Sequence, residues 1–503
     1  MSQVDRRTAL KAGAVVALSG PFAGFFARQA SAAPPSTAAG PALVPVPDLR
    51  DGVERLALPR GFSYRSFQHA TVDTFQGGIP VPGRHDGMAA FAGPNGASVL
   101  VRNHEILGPG TPLAPTPAPY DSAAAGGTIS TLVTGEGIVL GSRGSLTGTM
   151  GNCAGGPMPW DSWVSCEETI NGPDVFDDFT RGGSAPPETY VKNVQLQKKH
   201  GYVFEVPAGG VSDGVPVTAA GRFSHEAIAY SPNEKVFYLT EDDFAFPSGF
   251  YRYVPPSRPG PTRRLRDGGR LFALAVRGRP EARLEAATTV GERFPVRWVE
   301  IDNPDPTFPM DVTNPNAPIP TVTNDQAIHA VAEQGWDQGA AYFSRLEGAT
   351  YNRDIVYFVS TQGGGAQAPW VQGDPGLTST GFGSGFGQIW AYHVLLQELE
   401  LVYVSPGPDV LDFPDNITTR NGVLVICEDG INGNFLRGLA PNGFLFDIAQ
   451  NLIPKVSGGV TDIGGDEFAG STFSTDKRTL FVNIQASLGL SIAIFGDWAA
   501  MGM

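Results

Sequence analysis

Residues 225–242 read HEAIAYSPNEKVFYLTED. The runs on either side of Pro232-Asn233 are rich in β-branched, aromatic and small apolar residues, and Pro-Asn is turn chemistry, so the stretch reads as two strands around a turn. It closes on an acidic pair, Glu241-Asp242. The same plan recurs in HDGMAAFAGPNGASVLVRNHE (85–105), NCAGGPMPWDSWVSCEE (152–168), LEGATYNRDIVYFVSTQ (346–362), DNITTRNGVLVICED (415–429) and EFAGSTFSTDKRTLFVNIQ (467–485). Asn95-Gly96, Asn352-Arg353, Asn421-Gly422 and Thr475-Asp476 supply further turns. The ends of the copies are roughly 55 to 75 residues apart, except for about 120 between Asp242 and Gln362. This spacing predicts an all-β chain, a six-bladed β-propeller with a long insertion between the third and fourth repeat copies, at about residues 255–338. Asp302-Asn303-Pro304-Asp305-Pro306 and Asn314-Pro315-Asn316 mark extended loops inside that insertion.

Composition agrees with such a fold. Of 503 residues, 41% are hydrophobic and 10% aromatic, enough apolar content for a core that a disordered chain would lack. Gly (64) and Pro (43) make up about a fifth of the chain, as expected where many short strands meet at turns. With 35 Lys+Arg against 50 Asp+Glu the formal charge is −15, which argues against a nucleic-acid partner because phosphate recognition needs a basic surface. The three cysteines, Cys153, Cys166 and Cys427, permit at most one disulfide, so this is no disulfide scaffold.

The N-terminus carries Asp5-Arg6-Arg7-Thr8-Ala9-Leu10-Lys11, an apolar stretch from Ala12 to Phe26, and Ala30-Ser31-Ala32. In that order these are the parts of a twin-arginine signal peptide spanning residues 1–32. The export machinery is then a partner, and the mature protein is periplasmic or extracellular. Residues 33–47, rich in Ala and Pro, read as a flexible leader, leaving 48–503 as the propeller domain. No later stretch approaches the about 18 uninterrupted apolar residues of a membrane span.

Equivalent positions in a propeller converge on its axis, so acids that recur at the ends of the copies should meet. Glu105, Glu167, Glu168, Asp242, Glu428 and Asp429 form one such set. Carboxylates crowded together repel unless cations join them, and calcium accepts six to eight hard oxygens in flexible geometry. A second set opens the copies: Asp86, Cys153, Glu226 and Glu347. Cys153 sits in the Gly-rich Asn152-Cys153-Ala154-Gly155-Gly156, read as a turn, and a thiolate among carboxylates points to a transition metal such as iron. Cys166 and Cys427 read as small core residues. Gly363-Gly364-Gly365 lacks the Lys-Ser/Thr of a phosphate loop, and neither H-E-x-x-H nor G-x-S-x-G occurs.

NHE at 103–105, NCAGGPMPWDSWVSCEE at 152–168, GRFSHEAIAY at 221–230, RLEGA at 345–349, ICEDG at 426–430 and EFAGSTFSTDKRTLFVNIQ at 467–485 together resemble the PhoX family of alkaline phosphatases over roughly residues 48–490. The resemblance implies an exported phosphomonoesterase with a propeller fold and a mixed iron and calcium cluster. It implies that Cys153, Glu168, Glu226, Glu347 and Asp429 hold the cluster, with Glu226 and Glu347 bridging, and that Arg345 contacts the substrate phosphate through its two-pronged guanidinium. Arg345, Glu347 and Glu226 are thus the expected catalytic residues. Glu105 and Asp242 are added as calcium ligands from the repeat. Met158 and Asp161 interrupt the family's usual Thr-Pro-Trp-Gly-Thr-Trp string, a departure that bears on the pocket wall or the metal content.

The expectation is metal-assisted hydrolysis of a small phosphate monoester. Two alternatives share the convergent acids: a non-enzymatic propeller stabilised by calcium that binds a partner, and a calcium-dependent propeller lactonase. Neither has a use for a thiolate at Cys153.

Overall fold

The computed structural model describes residues 40–176, 196–256, 265–315, 318–365, 382–430, 433–457 and 460–503. The twin-arginine segment 1–32 lies outside the described residues. Each of the six copies is an antiparallel hairpin. The first, or inner, strands are His85–Ala92, Asn152–Met158, His225–Ser231, Leu346–Asn352, Pro414–Arg420 and Phe468–Phe473. Their partners are Ser98–His104, Ser162–Glu167, Val236–Glu241, Ile355–Ser360, Val423–Glu428 and Thr479–Ile484. Each inner strand packs against the next in sequence order, and the sixth returns to the first. The fold is all-β and propeller-like, with two short helices, Asn324–Ile328 and Ala330–Trp336, among the described residues. None of its described helices is long and apolar enough to cross a membrane.

The axis is narrow because backbone fills it. A Cβ on Gly87 would lie 2.5 Å from Cα of Ala154, and one on Gly348 would lie 2.8 Å from Cα of Asn416. Glycine at these places is a steric demand of the ring closure rather than a turn signal. Between the strands lies a cavity of about 60 Å³ lined from all six inner strands.

Outer strands complete the sheets, and some come from the N-terminal end of the domain. Ser63–Phe67 pairs with Leu490–Phe495 in the sixth sheet, while Leu43–Pro47 and Glu54–Pro59 extend the fifth through Leu445–Asn451. Ladder hydrogen bonds therefore join Ser63–Phe67 to a strand more than 400 residues further along the sequence. Tyr64, Leu480, Val482, Ile492 and Ile494 pack there without exposed surface. The leader thus ends earlier than its Pro-rich composition suggests. Residues 43–47 form an edge strand, a place where proline is tolerated because the edge leaves N–H groups unused.

The segment 255–338 is likewise not all insertion. Arg270–Val276 and Arg293–Ile301 continue the third sheet, and Arg293–Pro295 pairs with Glu398–Glu400 to join it to the fourth. Cys153 lies on an inner strand and not in a turn, its glycines serving close approach: a Cβ at Gly156 would fall 1.7 Å from the Ile228 carbonyl oxygen. All three cysteines are buried and free, and Cys166 and Cys427 are core residues.

Candidate metal centre

One backbone device builds the site. After its first paired residue each of the first five inner strands carries a β-bulge, between His85 and Met88, Asn152 and Gly155, His225 and Ile228, Leu346 and Ala349, and Pro414 and Ile417. The residue that follows the first pair is Asp86, Cys153, Glu226, Glu347 or Asp415. A bulge leaves such a residue out of the ladder and re-aims its side chain. In the sixth strand the shift comes one residue later, between Ala469 and Thr472, and Glu467 precedes the strand.

Two residues before four of these positions, Asp86, Cys153, Glu347 and Asp415, the chain turns through the left-handed region: φ is 54° at Arg84, 56° at Gly151, 44° at Arg345 and 49° at Phe413. Only Gly151 adopts it without strain. Three large side chains are held there at matching places, a strain of the kind that collects at functional sites.

The bulged residues meet. Ligand atoms of Cys153, Glu168 and Glu226 lie within 4.8 Å of one another, as do those of Glu226, Glu347 and Asp415, so Glu226 is common to both sets. Burial, followed by repulsion from Asp415, Glu168 and Asp86, pushes Glu226 well above the usual carboxyl range. Burial and neighbouring acids do the same to Glu347, Asp86 and Glu467, and they raise Asp415 to about 7. The Cys153 thiol is pushed up by burial and then by Glu226 and Glu168, and its Sγ donates to the His225 carbonyl at 3.1 Å. Acids that disfavour their own charge in this way fit a group of cations: the first set offers sulfur and oxygen, the second oxygen alone.

The acids at the far ends of the hairpins divide by strand alternation. Glu167 accepts from the backbone N–H groups of Met150, Gly201 and Tyr202 at 2.9 to 3.2 Å and from His200 Nδ1 at 2.6 Å. Glu428 accepts from Asp412 N, Phe435 N and Arg437 Nε. Both were expected near calcium; instead their oxygens are consumed in fastening strand ends. Glu241 fastens its strand end through Oε2 alone, which accepts from Gly249 N and Tyr251 Oη, while its buried Oε1 has no hydrogen-bond partner among the described residues. Their sequence neighbours turn toward the bulged residues: Glu168 lies with Cys153 and Glu226, Asp242 repels Glu347, and Asp429 repels Asp415.

Among the expected ligands, then, Cys153, Glu168, Glu226 and Glu347 come together, whereas Asp429, Glu105 and Asp242 lie outside both sets. Asp242 accepts from Arg345 Nε at 3.1 Å and Nη2 at 2.7 Å, and the same Nη2 reaches Glu347 Oε1 at 2.9 Å. Burial opposes the Arg345 charge, but Asp242 and Glu347 outweigh it and hold the guanidinium ionised. Asp429 is raised by burial, against the pull of Arg345 and Lys455. Glu105 is 3.8 Å from Arg84 and repels Asp86 and Glu467. Sequence reasoning missed Asp415 and Glu467. The signal was present, since these residues open the fifth and sixth quoted copies as Asp86, Cys153, Glu226 and Glu347 open the others.

Behind Glu167 lies a buried charged triad. His200 Nε2 is 3.6 Å from Asp121, and although burial works against its charge, Glu167 and Asp121 raise His200 to about 9. A histidine raised in the folded state stabilises fully below its unfolded value of about 6.5, and the contribution disappears as pH climbs through about 9. Denaturant midpoints are expected to fall over that window by the equivalent of on the order of 3 kcal/mol, and His200→Gln to be less stable at pH 6 with a flatter profile. A wild-type midpoint constant from pH 6 to 9 contradicts the triad.

A family model described as alkaline phosphatase PhoX matches residues 140–487. Among solved structures, PhoX of Pseudomonas fluorescens in complex with vanadate, a transition-state analogue, superposes with a TM-score of 0.60 at 17% identity, covering 91% of this chain and 98% of that one. At that identity the likeness shows the fold. A gluconolactonase of Xanthomonas campestris covers 90% of this chain and 98% of its own at 10% identity, with a TM-score of 0.34. No curated protein matches the sequence.

Proposed function

The chain belongs to the PhoX alkaline phosphatase family, and from that premise we propose that it hydrolyses phosphate monoesters with a cluster of iron and calcium ions held at the axis of a six-bladed ring, one blade for each sequence copy. The observation that carries the proposal is the pair of ligand sets joined through Glu226, one containing a thiol, with Arg345 hydrogen-bonded to Glu347 beside them. Cys153, Glu168 and Glu226 suit the softer ion, and Glu226, Glu347 and Asp415 suit calcium. Bound there, the ions would supply Lewis-acid neutralisation of the phosphoryl oxygens.

The protein's own residues do the positioning. Asp242 holds two nitrogens of Arg345 in a two-point grip, which fixes the guanidinium plane; Nη1 makes no hydrogen bond to a described residue and is left for a phosphoryl oxygen. Glu347 accepts from Arg345 and ties that plane to the ligand set. As a ligand Cys153 would have to release to solvent the proton that it now shares with the His225 carbonyl. Substrate attraction is local to this site, because a formal charge of −15 repels anions at longer range. The order of the twin-arginine elements in residues 1–32 supports an activity outside the cytoplasm.

Purified protein supplied with iron and calcium is expected to hydrolyse p-nitrophenyl phosphate, to lose activity to a chelator and to regain it on re-addition of both ions. No hydrolysis by protein that elemental analysis shows to be fully loaded sinks the reading.

A further inference from the structure

Three phenylalanines form a ledge on one side of the rim. Phe244 stands two residues after Asp242, is 46% exposed, and has Arg345 Cζ 6.0 Å from its ring centroid. Its carbonyl accepts from Phe382 N at 2.7 Å, and further along the same segment stands Phe386, which is 37% exposed. The Phe386 carbonyl accepts from Phe413 N at 3.2 Å, and the two rings stack at 6.3 Å with 19° between their planes. Phe413 in turn precedes Asp415 by two and takes a hydrogen bond from Asp429 N on its carbonyl. Backbone hydrogen bonds thus link Phe244 to Phe413 around Arg345.

Phe413 is one of the non-glycine residues held at positive φ on this rim, and at the matching positions the ring places Arg345 and Arg84. Strain of this kind persists where a side chain is needed at that spot. The needs differ around the rim. Arg84 and Lys455 offer exposed cations near Glu105 and Asp429, whereas the side beside Arg345 offers uncharged ring faces. A phosphoryl group held at Arg345 must send its ester alcohol out past one of these sides. The exposed Phe244 ring beside a fixed guanidinium, with Phe386 and the half-buried Phe413 joined to it through the backbone, suits a planar ring that stacks and excludes water from the ester.

We infer that Phe244, Phe386 and Phe413 bind an aromatic leaving group, so that the preferred substrates are nucleoside or aryl monophosphates rather than phosphates of small polyols. This rests on the phosphatase reading and names the substrate class for it. The test compares kcat/KM for adenosine 5′-monophosphate and for glycerol phosphate in the metal-loaded wild type, Phe386→Ala and Phe244→Ala. Wild type is expected to favour the nucleotide, and each variant to lower the nucleotide-to-glycerol ratio by roughly tenfold, the scale of one stacked base. An unchanged ratio in both variants overturns the ledge while hydrolysis of glycerol phosphate leaves the phosphatase reading standing. Absence of hydrolysis with either ester in loaded wild type removes both.

Discussion

Cys153→Ala protein is expected to bind calcium and no iron, and to hydrolyse p-nitrophenyl phosphate roughly a thousandfold more slowly than wild type, the scale of losing several kcal/mol of charge stabilisation. Sulfur is the reason for the split between metals. Cys153 provides the thiol in a set otherwise made of Glu168 and Glu226, and a thiolate favours a transition metal while adding nothing for calcium. The second set, Glu226, Glu347 and Asp415, keeps all its oxygens in this variant. The thiol is also costly to ionise without an ion, because burial, Glu226 and Glu168 all oppose the thiolate. Iron uptake by wild type should therefore release a proton that the alanine variant does not, and should tighten as pH rises. Elemental analysis and proton release on metal addition measure both effects. An iron content equal to that of wild type would falsify the role given to Cys153.

The parts of the fold legible in the sequence are those governed by local rules. Each hairpin follows from strand composition around a turn such as Asn95-Gly96 or Asn421-Gly422, and the recurrence of that pattern leads to a ring. The joining of Ser63–Phe67 to Leu490–Phe495 was not legible, because pairing between opposite ends of a chain leaves no local pattern. The acidic doublets show the same divide. Adjacent acids such as Glu167 and Glu168 must face opposite ways, yet nothing local says which one turns to the axis. Structure decides it, through the backbone N–H groups of Gly201 and Tyr202 that claim Glu167. The bulges hide more, since they break the two-residue period from which a facing would be counted. The union of Asp242 with Arg345, 103 residues apart, depends on the ring having closed.

Glu226→Gln should move the stability of the metal-free and metal-loaded proteins in opposite directions. Without ions the wild-type carboxylate is buried among Asp415, Glu168 and Asp86, all of which disfavour its charge. An amide of nearly the same shape removes that repulsion, so the chelated variant is expected to unfold at a temperature higher than chelated wild type by roughly 3 °C or more. With ions present the argument reverses. Glu226 belongs to both ligand sets, and an amide brings one neutral oxygen where a carboxylate brings two and a negative charge. The loaded variant should therefore gain less from added calcium and iron than wild type does, and its activity should fall by about a thousandfold. A residue that merely filled space would lower both melting temperatures together. Thermal unfolding of the two proteins, each with chelator and with saturating metal, yields four midpoints. If the chelated variant melts at or below chelated wild type, Glu226 is not held among uncompensated charges and the shared-ligand assignment fails.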